Sequence, residues 1–398
     1  MDNINSVDII KNCCGCGGCV AVCPKEAVKI TSNTEGFYER KVFVDICVNC
    51  GKCLTVCPMI MVKKKSTYNT QKMEHQTFWA AVSKNKENYI RSSSGGVFSS
   101  VAEQIIHEGG VVYGCGLDSN LIPSHMSIVS MNDIDKLRRS RYVQSDTRDT
   151  FTLIKKDLEN GKHILFVGTP CQVYALKKYI GENDRLFLID LICHGVPSPK
   201  MFADNLHYIE KKRDRKLKGY EFRLKREGSY TYTYIYTYGA NEVGLYYEDA
   251  YYNSFYDFVS LNECCYSCPF ANLDREGDIT IGDYEWGKDH HAEFNDCSDI
   301  SCILTNTKKG VNMVKKLDSS MRLTPTRIEW ILEKQNNLKC PEKRPKYRDR
   351  IYKEIQQMGY EQWADKYYHS MRYFKKKPIM RPLVKMKVLL NEILKRRR

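Results

Sequence analysis

Short apolar runs alternate with segments of helical spacing through the middle of the chain. Phe78 to Val82 and Val111 to Tyr113 read as buried strands. Between them Val97, Val101 and Ile105 share one face, so Val97 to His107 reads as a helix that opens at Ser94-Gly95-Gly96 and closes at Gly109-Gly110. His163 to Val167 forms the next apolar run and passes through Gly168-Thr169-Pro170-Cys171 into a helix ending near Ile180. Arg185 to Leu191 follows as a strand that ends at Cys193-His194-Gly195. This rhythm predicts helices packed on a sheet. Later runs are more antiparallel in character: Tyr220 to Leu224, then Tyr230 to Tyr238, with Asp278 to Ile281 closing the set. In the second of these, Tyr230, Tyr232, Tyr234, Tyr236 and Tyr238 fall on one strand face. Such a row packs a half-buried sheet or, as the sharper alternative, forms a shelf for a flat substrate.

The pattern changes at both ends. Val28 to Thr31 and Val42 to Val44 are short strand candidates joined by the turn-like Ser32-Asn33-Thr34-Glu35-Gly36, and the stretch after residue 61 is polar and without period. Beyond Pro341 a basic connector leads to a mixed helix from about Arg350 to Tyr368. A final helix follows from Leu383 to Arg398, with Leu383, Met386, Leu390 and Ile393 as its apolar stripe. The organisation expected is a small domain over 1–61, a linker over 62–77, a main domain over 78–340 and a basic helical tail over 341–398.

Composition sharpens this division. The chain has 398 residues, 42% apolar, enough for real cores and too apolar for wholesale disorder. Its +14 charge is uneven, because 18 basic and 6 acidic residues after position 340 leave a net +12 there. Three partners suit that tail: water alone, an anionic membrane surface, or nucleic acid, for which no binding motif is present. No secretory leader is expected from Met1 to Lys11, and no run reaches the roughly 18 apolar residues of a membrane span. A cytoplasmic protein is expected, peripheral at the inner membrane face if the tail binds lipid.

Cysteine carries the chemistry. Of 18 cysteines, nine lie within the first 57 residues. Cys13-x2-Cys16-x2-Cys19-x3-Cys23-Pro24 recurs as Cys47-x2-Cys50-x2-Cys53-x3-Cys57-Pro58. Three thiolates at every third residue wrap one loop round an iron–sulfur cube, and in paired motifs the fourth cysteine ligates the other cube. The expected ligands are Cys13, Cys16, Cys19 and Cys57 for one 4Fe-4S cluster, and Cys47, Cys50, Cys53 and Cys23 for the second. Structural zinc, the alternative, uses two separated ligand pairs. Cys14 is surplus to the spacing. Cys171 and Cys193 each follow a strand, and Cys265-x2-Cys268-Pro269 is a chelating pair. If the two strands are neighbours, their loops open on one sheet edge and a third 4Fe-4S cluster follows. Ser94, Gly95 and Gly96 before a helix suit either a phosphate or a serine N-cap.

Several motifs in order resemble the coenzyme F(420) hydrogenase/dehydrogenase beta-subunit family: Arg91 to Val97, Gly110 to Gly114, Leu137 to Ser145, Gly168 to Gln172, Asp190 to Ser198 and Asp278 to Asp283. The resemblance implies a bacterial-type two-cluster ferredoxin module followed by a mixed-sheet α/β flavin-binding domain and the basic tail, an α+β and α/β multidomain chain. It implies FAD, with Ser94, Gly95, Gly96, Tyr142, Gln144, Ser145, Gly168 and Thr169 as the flavin cradle. It also implies the third cluster on Cys171, Cys193, Cys265 and Cys268, with Cys264 as a competing ligand. By the same resemblance, electrons would pass from ferredoxin or a similar donor through the clusters to FAD and on to a small molecule. Relatives near cell-surface polysaccharide genes make that acceptor sugar-linked. His194 is the candidate proton donor, with a hydrogen bond to a cluster sulfur as its alternative role. The second functional reading is an electron-transfer subunit that relays electrons to a partner enzyme.

Overall fold

The computed structural model describes residues 13–61, 76–147, 149–225 and 231–369. In the N-terminal unit each cysteine repeat turns into one short helix, Gly18–Ala21 or Lys52–Thr55. The preceding residues, Gly17 and Gly51, have φ of 78° and 72°, a left-handed reversal that costs glycine least. Strand β1, Val28–Ser32, pairs antiparallel with β2, Tyr38–Val42, in register Val28↔Val42. Two strands alone are marginal. Their support is a core of Val28, Val42, Met59 and Ile60 with Cys19, Cys53 and Cys57, completed by Cys264 from the main body.

The main body is built on an eight-stranded mixed sheet. Its strands are β3 (Phe78–Ser83), β4 (Val111–Leu117), β5 (Pro123–Ile128), β6 (Ile164–Gly168) and β7 (Leu186–Leu191), then β11 (Ile279–Asp283), β12 (Ser301–Thr305) and β13 (Met321–Pro325). They lie in the order β13-β3-β12-β11-β7-β6-β4-β5. The four central strands β4, β6, β7 and β11 run parallel and the flanks are antiparallel. Buried on both faces, β6 and β7 are apolar but for Asp190 and Gly168, as parallel central strands tend to be. β6 and β7 are neighbours in register Gly168↔Asp190, so the loops carrying Cys171 and Cys193 leave the same sheet edge.

A smaller antiparallel sheet, β10-β9-β8, comprises Glu242–Leu245, Thr231–Tyr236 and Leu217–Phe222. Tyr232, Tyr234 and Tyr236 are buried in an aromatic core with Tyr220, Phe222 and Tyr252. Asp249 accepts the hydroxyls of Tyr220 and Tyr234 at 3.0 and 2.8 Å. The tyrosine row therefore packs a sheet; Tyr238 alone is exposed, at 85%, and Tyr230 lies outside the described residues.

The expected division at residue 340 does not match the packing. The helix anticipated from about 350 to 368 is two helices, Arg348–Met358 and Tyr360–His369, broken at Gly359 with φ of 81°. Ile351, Tyr352, Tyr360, Trp363 and Tyr367 fill the same aromatic core, so residues 348–369 are body and not tail. Periodicity marks the helix but not the partner of its apolar face. Of the linker expected over 62–77, residues 62–75 lie outside the described residues, as does the basic helix from Leu383, while Gln76 and Thr77 hydrogen-bond to Asn306 and Thr305 of the body. No described helix is long and apolar enough to cross a membrane.

Candidate metal centres

The N-terminal unit is fastened to the body through the backbone of its first cysteine loop. Carbonyls of Cys13, Cys14 and Cys16 accept hydrogen bonds from Asn262 Nδ2 at 3.3 Å, Gln144 Nε2 at 3.1 Å and Thr147 Oγ1 at 2.9 Å. Gln144 Oε1 also accepts from the Tyr38 amide at 2.7 Å. Gly15, with φ of +65°, is what permits the approach: a Cβ there would stand 2.4 Å from Gln144 Nε2 and 2.5 Å from the Tyr38 carbonyl. A second fastening lies at the turn between β1 and β2. Arg348 grips both Glu35 carboxylate oxygens at 2.7 and 2.6 Å, and Ser198 Oγ donates to the Glu35 carbonyl at 2.7 Å.

Cys13, Cys16, Cys19 and Cys57 line one hollow of about 320 Å³, together with Ile30, Arg40 and Met59. Three of these come from the first repeat and the fourth from the second. Burial pushes the Cys57 thiol up to about 12, and Cys16 and Cys13 beside it add to the rise. Cys13 and Cys19 are raised as well, with burial the largest cause. Such thiols keep their protons unless a metal supplies positive charge, which deprotonates a coordinating thiol outright. The Gly15 amide donates to Cys13 Sγ at 3.4 Å and the Ala27 amide to Cys23 Sγ at 3.3 Å. In the second set, Cys53 is buried while Cys23, Cys47 and Cys50 are half-buried.

A larger hollow of about 750 Å³ opens where β6 and β7 end against the N-terminal unit. Six cysteines line it: Cys14, Cys171, Cys193, Cys264, Cys265 and Cys268. Cys193 is pushed up by burial and by Cys265, Cys171 and Cys268 beside it; burial takes Cys268 to about 12. The Cys171 thiol falls to about 7, chiefly through a hydrogen bond from Cys14. The Gly195 amide donates to Cys193 Sγ at 3.3 Å. At Gly195, with φ of +112°, a Cβ would meet Cys265 Cβ at 3.0 Å and its Sγ at 3.4 Å, so only glycine lets these two loops close. Of the two adjacent cysteines, Cys264 is buried in the core of the N-terminal unit and Cys265 packs at its edge, next to Cys193. Among the described residues no three His, Cys, Asp or Glu side chains gather to hold a single metal ion. The thiols instead surround hollows, the arrangement a polynuclear cluster fills.

The loop bearing Cys265 and Cys268 is held from behind by a buried ion pair. Asp190, at the end of β7, accepts Arg275 Nε and Nη2 on Oδ1 at 3.1 and 3.0 Å, and the amides of Glu276 and Gly277 on Oδ2 at 3.2 and 2.9 Å. Arg275 also donates to the carbonyls of Phe270 and Leu191, both at 2.7 Å. On the other side a polar chain supports Cys171. His125 Nε2 lies 3.1 Å from the Val167 carbonyl, which can only accept, so Nδ1 accepts from Ser145 Oγ at 3.0 Å. Gln172 Nε2 then donates to Ser145 Oγ at 3.0 Å, its Oε1 takes the Thr169 amide at 3.0 Å, and Thr169 Oγ1 reaches Cys171 Sγ at 3.2 Å. Burial lowers His125 to about 4 and keeps it neutral.

The proposed flavin residues divide at the six-cysteine hollow. Gln144, Ser145 and Thr169 line the six-cysteine hollow, while Ser94, Gly95, Gly96, Tyr142 and Gly168 do not. The Gly95 amide, expected as a phosphate donor, is taken by Ser301 Oγ at 2.8 Å, and a Cβ there would meet the Ala81 carbonyl at 2.0 Å. Gly95 is thus small for packing against β3. Gln144 is spent on the cysteine loop, and the Tyr142 ring stacks on Phe255 at 4.4 Å. Cations do gather near Ser93 and Ser94: Arg223 Nη2 donates to the Ser93 carbonyl at 3.2 Å, and Lys225, lowered by burial to about 8, donates to that of Ser94. His194 likewise stands off the six-cysteine hollow, with Nδ1 3.1 Å from Glu342 Oε1. Sequence reading missed Gln144, Thr147 and Asn262 as fasteners and Arg275 as a clamp, because none has a spacing signature.

Residues 161–329 match the family model for the C-terminal part of the beta chain of coenzyme F(420) hydrogenase/dehydrogenase, and residues 12–60 match that of the 4Fe-4S dicluster domain. The chain is 25% identical over 193 residues to the F subunit of F(420)H(2) dehydrogenase from Methanosarcina mazei, a match over 46% of this chain and 53% of that protein. It thus spans about half the length of the curated relative it matches. A chain of the F(420)-reducing nickel–iron hydrogenase complex from Methanosarcina barkeri is 17% identical, with a TM-score of 0.44 over 76% of this chain and 93% of that one. By its two family matches the chain is beta-subunit-like, with an iron–sulfur domain ahead of the beta-subunit region.

Proposed function

We propose that this beta-subunit-like chain is an iron–sulfur electron-transfer oxidoreductase that accepts electrons from a ferredoxin-type protein and delivers them to a small-molecule acceptor through FAD. Bound 4Fe-4S clusters supply one-electron steps, and a flavin converts single electrons into a pair. Cys13, Cys16, Cys19 and Cys57 would hold one cluster, Cys47, Cys50, Cys53 and Cys23 the second, and Cys171, Cys193, Cys265 and Cys268 the third. The observation that carries the reading is the six-cysteine hollow, lined jointly by the body and by Cys14 and Met59 of the N-terminal unit. Half-exposed Cys47 and Cys50, framed by Phe43, Val44, Ile46 and Val48 at 42%, 66%, 52% and 57% exposure, mark the side an external donor would approach. Arg223 and Lys225 would offset the phosphates of a flavin near Ser94 and Tyr142. A sugar-linked acceptor rests on the family resemblance alone.

Anaerobic iron, sulfide and flavin content of the full chain tests this directly. About twelve irons and one flavin per chain are expected; about eight irons would remove the third cluster, and no flavin would favour the relay reading. That second reading, an electron-transfer subunit serving a partner enzyme, is favoured by the Methanosarcina mazei relative being a subunit of a dehydrogenase. Membrane association through the tail is tested by co-sedimentation with anionic liposomes, where loss of pelleting on ending the chain near Phe374 is the expected result.

A further inference from the structure

Residues 336–349 supply part of the wall of the six-cysteine hollow, through Asn337 and Pro341. Only the ends of this segment are helical: Asn336–Leu338 is one short turn, and the helix Arg348–Met358 begins at the other end. Between them lies a stretch with no regular structure, bounded by Pro341 and Pro345, whose rings preset φ. Side chains hold it in place. Glu342 Oε1 lies 3.1 Å from His194 Nδ1, in the loop that carries Cys193. Arg344 Nε donates to Glu263 Oε1 at 2.6 Å, and Glu263 opens the turn that carries Cys265. The segment therefore bridges two of the three loops assigned to the third cluster.

Its far end is fastened to the N-terminal unit. Arg348 donates to the two Glu35 oxygens at 2.7 and 2.6 Å and to the Leu261 carbonyl at 3.2 and 3.0 Å, and its Nε lies 3.5 Å from Glu263 Oε2. The Arg348 side chain is 3% exposed, so it depends on its counterions, and Glu35 reaches it only when the N-terminal unit is seated. That seat is close-fitting. At Gly36, with φ of +82°, a Cβ would stand 2.1 Å from Lys200 Cβ, and Gln356 Nε2 donates to the Thr34 carbonyl at 3.1 Å. Glu35, Arg348, Glu263 and Arg344 thus form one alternating chain of charges, from the turn of the N-terminal unit, past the Cys265 loop, to the segment itself.

We propose that residues 336–349 are a strap over the third-cluster site, and that the N-terminal unit latches it through Glu35 and Arg348. The inference rests on the cluster assignment above. With the unit seated, Arg348 has a carboxylate on either side and the strap stays closed. With the unit lifted, Arg348 keeps only Glu263, the strap loosens, and the hollow opens to a cluster arriving from outside. Closure then keeps water from the bound cluster, whose potential depends on its exposure to solvent. The third site is thereby sealed only when the unit that feeds it electrons is in place.

The test is hydrogen exchange of the strap in the anaerobic, iron-loaded full chain, for the wild type, Glu35→Gln, Arg344→Gln and the double variant, with iron release to a chelator followed in parallel. The release phase of the third cluster is the one missing from Cys193→Ala. About twelve irons in the wild type establish the underlying assignment independently of the strap; about eight would overturn both. Glu35→Gln leaves buried Arg348 short of a counterion and should speed third-cluster release and exchange at the Lys339 and Cys340 amides by about thirtyfold or more. Arg344→Gln breaks a half-exposed pair within the body and should speed both by about threefold. The double variant should fall short of the product of the two, because an open latch leaves Arg344 less to hold. With about twelve irons present, strap exchange within about twofold of wild type in Glu35→Gln overturns the latch even if iron release quickens, since the N-terminal unit alone would then be the cover. A double variant equal to the product also overturns it, because the two fastenings would be independent.

Discussion

Asp190→Asn should open the wall behind Cys268 while leaving the rest of the sheet in place. Asp190 and Arg275 are 0% and 1% exposed at their side chains, and the carboxylate accepts four hydrogen bonds, two on each oxygen. Asparagine has the same shape but one acceptor oxygen. Its amide nitrogen must face either two guanidinium donors or the amides of Glu276 and Gly277, and the Arg275 charge loses its counterion in either case. Breaking a buried pair from one side costs about 3–5 kcal/mol. Since one decade in an equilibrium is about 1.4 kcal/mol, hydrogen exchange at the Glu276 and Gly277 amides should accelerate roughly 10²- to 10⁴-fold. Iron should fall from about twelve to about eight per chain as the Cys265 and Cys268 loop detaches. Asp190→Asn combined with Arg275→Met removes both charges and should recover part of the protection, because replacing a buried pair whole is far cheaper than halving it. Exchange within threefold of wild type and full iron in Asp190→Asn would refute the clamp.

His125 predicts an acid limb. Its folded pKa of about 4 lies below the unfolded value of about 6.5, so its contribution is complete above pH 6.5 and is lost as pH falls towards 4, by at most about 3 kcal/mol; His125→Gln should flatten that limb in a urea titration series. Gly15→Ala should destabilise the first cysteine loop by more than about 1 kcal/mol, read as faster iron loss to a chelator, because its Cβ would strike both Gln144 and the Tyr38 carbonyl. Trp363→Ala, at a side chain 1% exposed, should cost about 3–5 kcal/mol in denaturant unfolding, and a chain ended at Cys340 should fail to yield soluble protein. His194→Ala should leave iron content unchanged, since its partner is Glu342; loss of about four irons would show that it supports Cys193.

Local signals made much of this fold legible. The central strands β6 and β7 read as apolar runs, broken only by Asp190, because both of their faces are covered, and Gly168-Thr169-Pro170-Cys171 and Leu191-Ile192-Cys193 stood out as strand-to-turn breaks. The cysteine repeat was legible for the same reason: its information lies in spacing within ten residues. What escaped sequence reading depends on partners hundreds of positions away. Gln144 acquires its role only when Cys14 and Tyr38 arrive beside it, and Arg348 only when Glu35 does. The segment over 348–369 was legible as a mixed helix but was assigned to the basic tail, because periodicity does not show that Trp363 and Tyr367 face a core built largely from residues 202–259 or that buried Arg348 meets Glu35.

At Cys264 and Cys265 spacing leaves two candidates, and packing distinguishes their surroundings. Either residue could begin a chelating step with Cys268 on spacing grounds, since Cys-x2-Cys and Cys-x3-Cys both occur in cluster loops. Asn262 sets the loop's phase: its Oδ1 accepts from the Cys264 amide at 3.4 Å, its carbonyl accepts from the Cys265 amide at 2.9 Å, and its own amide is bonded to Val196 at 2.9 Å. That phase turns Cys264, 4% exposed, into the apolar core with Cys19, Cys53 and Cys57. It leaves Cys265 against Gly195, whose missing Cβ makes the space for its sulfur. Cys264 and Cys265 both line the six-cysteine hollow, and under the proposed assignment Cys265 would be the ligand beside Cys193 while the more buried Cys264 would pack. Cys264 therefore joins the body to the N-terminal unit by burial, and Cys14, whose carbonyl accepts from Gln144 at 3.1 Å, lies at the same wall of the six-cysteine hollow.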